Sequence, residues 1–339
     1  MFISWARLSR RTVDLARELD VELLHISSKP PYLNAFLETL NYLKKVKPNV
    51  VMVQLPQGPL LWEVVFLSKR LGFKVVADVH TGFIYTTTLK EILLNRPFHH
   101  YLKYVDLILV HNEEVKKLVL KKFGNTIKEE KLMVVYDPIP KPLENLEMPK
   151  NIDVRPSEYL VMPASWASDE PIDFLVDEFI NYLRMSKSNY KLVITNDYTK
   201  NISLYKRVIE KIKKANALDK VLLTGYLKKQ EYYWLLANAK LVIALTSREY
   251  TMLSAIWDAV GYNIPFIVSE TTTLKNIIGN YPCFFKIEKN FLTSTLMRCI
   301  DTENLMDSFT KVSNRLKELS SKSIETLRKV LNQLNSLTP

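Results

Sequence analysis

Two α/β domains, each built on a doubly wound parallel sheet, are what this sequence predicts, and three observations carry the prediction. Short apolar runs alternate with helical patterns through residue 136 and again from residue 159 onward; such runs suit strands covered on both faces by crossover helices. Between the two series, residues 137–158 contain Pro138, Pro140, Pro142, Pro149 and Pro156, which regular elements exclude. The 339 residues also exceed the size at which a single hydrophobic core usually keeps growing. The expected division is residues 1–150, residues 151–315, and a C-terminal helix over 316–339 that can cross back to the first domain.

In the first domain the expected strands are Phe2–Trp5, Glu22–Ile26, Val50–Val53, Lys74–Val79, Leu107–His111 and Leu132–Tyr136. The segment after the first strand reads as a helix because Leu8, Thr12, Leu15 and Leu19 share one face. The second domain repeats the alternation with Tyr159–Pro163, Lys191–Thr195, Val221–Thr224, Leu241–Leu245, Pro265–Ser269 and Cys283–Lys286, each followed by a helix candidate. Two helical stretches close the chain, Glu303–Glu318 and Ser321–Leu334, the second polar on most faces. The sequence shows no solenoid-type repeat and no low-complexity tract.

Composition narrows the function classes. No apolar run reaches the roughly 18 residues that a membrane span needs, and the strand-like Phe2–Trp5 leaves no room for a signal peptide. A cytoplasmic protein is expected. Cys283 and Cys299 are the only cysteines and lack metal-ligand spacing, so both are expected to be buried and reduced. The net charge of +11 is spread evenly, with 22 Lys+Arg against 16 Asp+Glu in residues 1–150 and 25 against 20 in the rest. That evenness argues against a nucleic-acid face. It suits an anionic substrate or attraction to an acidic membrane surface.

The most informative stretch is Leu241–Glu270, where an apolar strand runs into a polar loop with Arg248 and Glu249 and then a helix carrying Asp258. In an open parallel sheet, a strand's carboxyl end and the next helix's amino end form a ligand crevice. Two carboxylates lining it can hold the hydroxyls of a sugar and of a ribose. Thr251, Met252 and Leu253 are expected to open the helix, with their N–H groups facing an anion, and Arg248 can meet a diphosphate bidentately.

Residues 220–285, read as strand, Gly225, short helix, strand, acidic loop, helix and the turn Gly261-x-x-x-Pro265, resemble the donor half of GT-B-fold glycosyltransferases, specifically glycosyltransferase family 4. The resemblance implies two Rossmann-like domains facing across a cleft and retaining, metal-independent transfer from a nucleotide-sugar donor. It implies no resident cofactor and no enzyme nucleophile. The family's Glu-x7-Glu pair maps onto Glu249, for sugar hydroxyls, and Asp258, for the ribose, spaced one residue wider. By the same resemblance, Leu227 contacts the base through its backbone. The family's Arg and Lys diphosphate clamp is missing: the loop after the second domain's first strand offers Ser165, Trp166, Asp169 and Glu170 instead, of which Ser165 and Trp166 can line the donor site.

In the first domain, Asp78-Val79-His80-Thr81-Gly82 ends a strand and resembles the family's Asp-x-His, whose His lies near the transferred sugar. Asp78, Thr81 and Gly82 join the expected acceptor side. Arg7, Arg10 and Arg11 occupy the first strand–helix loop, where glycine is absent, and can bind a phosphate. Gly82–Tyr104 mixes Phe83, Ile84, Leu89, Leu93 and Tyr101 with Lys90, Arg96 and Lys103, a pattern of either core packing or peripheral contact with the inner membrane face. The acceptor is expected to be a glycan or a lipid-linked glycan. No Asp-x-Asp occurs, so no metal is expected, and no G-x-G-x-x-G points to a dinucleotide. The rivals are a sugar-nucleotide epimerase and a non-catalytic GT-B protein that binds a glycan or partners an active transferase.

Overall fold

The structure is a computed structural model that describes residues 1–86, 89–300 and 304–337. It divides into two compact units, Met1–Pro138 with Glu318–Pro339, and Ile139–Lys317. The first unit comprises β1 (Phe2–Trp5), α1 (Arg10–Glu18), β2 (Leu23–Ile26), α2 (Leu33–Val46), β3 (Val50–Leu55), α3 (Gly58–Leu71), β4 (Lys74–Val79), α4 (Thr81–Ile84), α5 (Leu89–Asn95), β5 (Leu107–Val110), α6 (Glu113–Phe123) and β6 (Leu132–Val134). A 3-10 segment, Arg96–Tyr104, follows α5.

The second unit comprises β7 (Tyr159–Met162), α7 (Ile172–Ser186), β8 (Lys191–Ile194), α8 (Ile202–Lys214), β9 (Val221–Leu223), α9 (Lys229–Ala237), β10 (Leu241–Ala244), α10 (Ser254–Gly261), β11 (Phe266–Ser269), α11 (Thr272–Ile278), β12 (Phe284–Phe285) and α12 (Phe291–Cys299). The last helix, α13 (Leu305–Ser336), supplies residues to both units.

Each unit carries a six-stranded sheet, ordered β2-β1-β3-β4-β5-β6 in the first and β12-β11-β10-β7-β8-β9 in the second. Every ladder between these strands is parallel. The doubly wound α/β architecture expected from the alternation is thus observed.

In the first sheet, the step from β1 to β2 runs opposite to every later step. Right-handed crossovers therefore place α1 on one face and α2, α3, α5 and α6 on the other. The α1 face is completed by the end of α13, where Ile324 and Leu327 pack with Phe2, Leu15, Leu19, Met52 and Val76.

Local chemistry sets the ends of these elements. The side chains of Ser9, Asn112 and Thr271 accept the N–H of Thr12, Val115 and Leu274, capping α1, α6 and α11. Gly72, at φ 80°, ends α3 in the left-handed region that favours glycine.

Two expectations are corrected. The closing segment is one helix of 32 residues, not two, and Glu303 lies outside the described residues. Ser320 and Ser323 do not break the helix, because their hydroxyls donate to the carbonyls of Asp137 and Ser320. The two cysteines are not reduced: Cys283 and Cys299 form a disulfide. α12 folds back on β12 and brings their Cα atoms to 6.0 Å, within bridging reach.

Within Gly82–Tyr104, Phe83, Ile84 and Leu102 are core residues, whereas Leu89 and Leu93 are exposed; the Lys90 side chain lies outside the described part of the structure. No described helix is long and apolar enough to cross a membrane.

Candidate functional site

Strand order reverses between β7 and β10 in the second sheet and between β1 and β3 in the first. Ligands of open α/β sheets bind at the carboxyl ends of the strands flanking such a reversal. In the second unit that location holds residues 163–171 after β7 and 245–253 after β10, the loops containing Ser165, Trp166, Arg248 and Glu249. The loops are cross-linked. Thr246 Oγ1 donates to an Asp169 carboxylate oxygen at 2.8 Å, and the Ser247 N–H donates to the Asp169 carbonyl at 2.8 Å.

Most of the polar groups at this mouth already have protein partners. The Glu170 carboxylate accepts from the Ser165 N–H, the Ser165 hydroxyl and the Trp166 N–H, each at 2.8 Å. It thereby occupies a concavity of backbone N–H groups suited to an anion. Burial pushes the Glu170 carboxyl up, and the three donors restrain the rise. Trp166, expected to line the donor site, is 1% exposed, with its indole N–H on the Thr195 carbonyl. Its contribution is packing, against Tyr198 and Tyr205. Ser165 remains exposed.

The acidic pair does not converge. Burial would raise the Glu249 carboxyl, but the Thr272 and Thr273 donors, backbone N–H groups and the Thr273 hydroxyl among them, hold it below the usual range. Glu249 thus sits at the start of α11. Asp258 is 1% exposed and accepts from the hydroxyls of Tyr232 at 2.8 Å and Tyr233 at 3.4 Å, both on α9. A buried carboxylate on an apolar helix needs such donors; here the protein supplies them, and Asp258 does not present itself to a ribose.

Thr251, Met252 and Leu253 precede α10 instead of opening it, with Leu253 at the cap position in an extended conformation. Tyr250, at φ 65° and with its N–H on Thr273 Oγ1, turns the chain toward α11 first. The first-turn N–H groups of α10 belong to Ser254, Ala255 and Ile256, and that of Ile256 already donates to the Leu253 carbonyl at 3.0 Å. Leu227 is half-buried after β9, in the loop tied to β8's loop through the Asn196–Gly225 bridge.

In the first unit, a buried ion network lies beneath the strand ends. The Arg11 guanidinium meets both Asp78 oxygens, at 3.1 and 3.2 Å, and Asp137 at 2.5 Å. Burial alone would raise the Asp78 carboxyl, but Arg11 and His80 hold it well below the carboxylate range. His80 Nε2 stands 3.3 Å from Asp78 Oδ2, and the His111 ring meets the His80 ring edge-on at 4.7 Å between centroids. His111 Nε2 is buried without a hydrogen-bond partner, and burial pushes that imidazole's pKa well down.

Asp78, expected on the acceptor side, is fully buried between Arg11 and His80 and not open to solvent; Arg11 is likewise internal. Arg10 pairs with Asp14 at 3.3 Å, while Arg7 is exposed beside Gln54, whose amide bonds the Arg7 carbonyl and the Ser9 N–H. Thr81 and Gly82 begin α4 directly after His80 and stay half-buried.

Asp78, His80 and His111 offer ligand atoms within 4.8 Å of one another. With Arg11 on both Asp78 oxygens, that set already balances one buried cation and repels a second. Sequence reasoning missed Arg11's internal role, Gln54, Asp137 and His111. For His111 a cue existed, since it ends an expected strand just as His80 does.

No family model matches the chain, and no curated protein sequence matches it. Solved structures do. Anabaena HepE, in complex with UDP and glucose, superposes with a TM-score of 0.71 at 10% identity, covering 99% of this chain and 100% of that one. Sucrose-phosphate synthase from Thermosynechococcus elongatus gives 0.72 at 13% identity, covering 99% of both chains. A point mutant of S. aureus TarM gives 0.65 at 15% identity over 88% of this chain, which spans only 59% of the TarM chain. At these identities the likeness speaks for architecture, and the architecture is that of the GT-B glycosyltransferases.

Proposed function

We propose that this protein transfers a sugar from a nucleotide-sugar donor to a glycan or lipid-linked acceptor. The donor would bind at the β7–β10 reversal of the second unit and the acceptor at the strand ends of the first. The observation carrying this reading is that a GT-B architecture places Ser165, Arg248 and the start of α10 at the reversal where ligands of such sheets bind. HepE, solved with UDP and glucose, lends support through its shared fold.

The chemistry we assign is retaining and metal-independent. The acceptor hydroxyl attacks the anomeric carbon on the face from which the nucleoside diphosphate departs. The bond to the phosphate oxygen breaks, and that oxygen takes the acceptor's proton. Negative charge grows on the leaving phosphate and needs fixed positive groups. Arg248 is the only basic residue in the loops 163–171 and 245–253; it takes that role together with the N–H groups opening α10. His80, oriented by Asp78, would position a sugar hydroxyl. Neither a resident cofactor nor an enzyme nucleophile enters this scheme.

A second reading, a non-catalytic GT-B protein, is favoured by one observation: Glu170, Glu249 and Asp258 are already bonded within the protein. Mass spectrometry of products from a nucleotide-sugar panel, offered lipid-linked and free saccharides, tests the first reading. Replacing Arg248 by Ala should lower kcat about 100-fold, the usual loss of one charge-stabilising donor. Calorimetry showing no binding of UDP, GDP or their sugars would establish the second reading instead.

A further inference from the structure

We propose that Glu170 controls donor binding in the second unit through a proton-linked exchange. Its carboxylate holds the backbone N–H pair of Ser165 and Trp166 until a donor phosphate takes that pair, and Glu170 then takes up a proton. The inference rests on the glycosyl-transfer reading, which puts the donor at the β7–β10 reversal, and adds a control on that site.

Both N–H groups converge at 2.8 Å on one atom, Glu170 Oε2, while the Ser165 hydroxyl donates to Oε1 at 2.8 Å. Successive N–H groups aimed at a single oxygen form a concavity that suits a phosphate oxygen equally well. Trp166 adopts φ 59°, a left-handed conformation that a bulky residue reaches only at a cost. The anion site can also be reached and vacated. Ser165 is exposed, so one wall of the concavity meets solvent. The Glu170 main chain is fixed on both sides, its N–H on the Ala167 carbonyl at 3.1 Å and its carbonyl on the Ile172 N–H at 2.8 Å. Exchange therefore needs only side-chain torsions of Glu170, and the loop keeps its shape for the incoming anion.

Charge links the exchange to a proton. The loops 163–171 and 245–253 carry Asp169, Glu170 and Glu249 against Arg248 alone. A diphosphate adds further negative charge, and like charges at close range oppose its entry. Protonation of Glu170 removes one of them and supplies an O–H that can donate to a phosphate oxygen. Burial and the neighbouring Asp169 carboxylate already push Glu170 toward its protonated form, against the Ser165 and Trp166 donors. The other charged groups on the surrounding elements are engaged. Asp169 accepts from the Thr246 hydroxyl, Glu249 from the Thr272 N–H and Asp197 from the Thr199 N–H. Asp173 meets Arg207 at 3.0 Å, and Lys200 donates to Asn196 Oδ1.

Calorimetric titration of a panel of UDP- and GDP-sugars into the full chain reads the exchange, because these ligands hold a constant charge between about pH 5 and pH 8. Binding should tighten as pH falls, by up to about tenfold per pH unit. Heats in buffers of different ionisation enthalpy should show net uptake of a proton. Glu170→Gln keeps the side chain's length and an acceptor oxygen but not the charge. At about pH 8 it should bind roughly tenfold or more tightly than the unaltered chain, with no pH slope and no proton uptake. Ser165→Ala takes one donor from the carboxylate, so it should move the pH slope of binding to higher pH without any change at Glu170.

Binding by the unaltered chain that ignores pH and takes up no proton would overturn the proposal and leave the donor reading intact. So would a Glu170→Gln variant with unchanged affinity, or one with weaker binding and a lowered unfolding temperature, which would make Glu170 a tie that only shapes the loop. If neither protein binds any of the nucleotide-sugars, the donor reading falls and this inference falls with it.

Discussion

Arg11 and Glu63 represent opposite treatments of a buried charge. Arg11 is 5% exposed yet fully answered, by Asp78, Asp137 and the Val135 carbonyl. Removing one member of such a group leaves uncompensated charge behind, so Arg11→Leu should cost about 3–5 kcal/mol in denaturant unfolding. Asp78's folded pKa lies below its unfolded value of 3.8. Its stabilisation is therefore complete above that value and fades as acid approaches the folded pKa; in Arg11→Leu the loss should begin at higher pH. Glu63, on α3, is wholly buried, and neither of its carboxyl oxygens has a hydrogen-bond partner. Burial pushes its pKa up to about 9 from an ordinary 4.5, so the folded chain holds a proton that the unfolded chain releases. Between those values the folded state binds more protons, and stability falls as pH rises. Glu63→Leu removes both the orphaned oxygens and that slope. It should raise stability by about 1–3 kcal/mol, with the gain over the unaltered protein growing from pH 5 toward pH 9 in thermal melts.

The strands were legible at the scale of elements because buried parallel strands are largely apolar along their length, as Leu241–Ala244 and Tyr159–Met162 are. The neighbours of each strand were not, since a run such as Leu107–Val110 says nothing about which strand it will pair with. The start of α10 was missed for a local reason: Tyr250 adopts a left-handed conformation that no glycine or asparagine announces. The fate of the acidic pair was hidden for a long-range one. Glu249's partners lie 23 and 24 residues away on α11, and Asp258's lie 26 and 25 residues back on α9. Pattern reading places a carboxylate in a loop or a helix, but the hydroxyl or N–H that claims it belongs to another element. The disulfide shows the same limit, because only the return of α12 onto β12 makes Cys283 and Cys299 adjacent. Their separation of 16 residues closes a loop worth about 3 kcal/mol by chain entropy. Cys283→Ser with Cys299→Ser should lower unfolding stability by about that amount, and a reducing agent should reproduce the shift in the unaltered protein but not in the variant.

Two independent sheets make the molecule's two units, and α13 decides where the first one ends. A division at a proline-rich linker was readable from residues 137–158, but the first core's need for a distant segment was not. The face of the β1–β6 sheet that carries α1 has only that one helix from the chain's first half, because every later crossover lies on the opposite side. Phe2, Met52, Val76 and Leu109 on that face would meet water without Ile324 and Leu327, which are 7% and 0% exposed. Ser320 and Ser323 fasten the same segment to the Asp137 carbonyl and the Tyr136 N–H. Ending the chain after Lys317 strips those side chains from the first unit, and burial of two large aliphatic groups is worth about 3–6 kcal/mol. In scanning calorimetry the truncated chain should lose or sharply lower the transition of the first unit. The transition of residues 139–317 should hold its temperature, because that unit keeps its own sheet and the Phe266–Phe309 contact with the part of α13 that remains. Equal shifts of all transitions would mean that the two cores unfold as one cooperative body, and an unchanged first transition would mean that α1 alone closes its face.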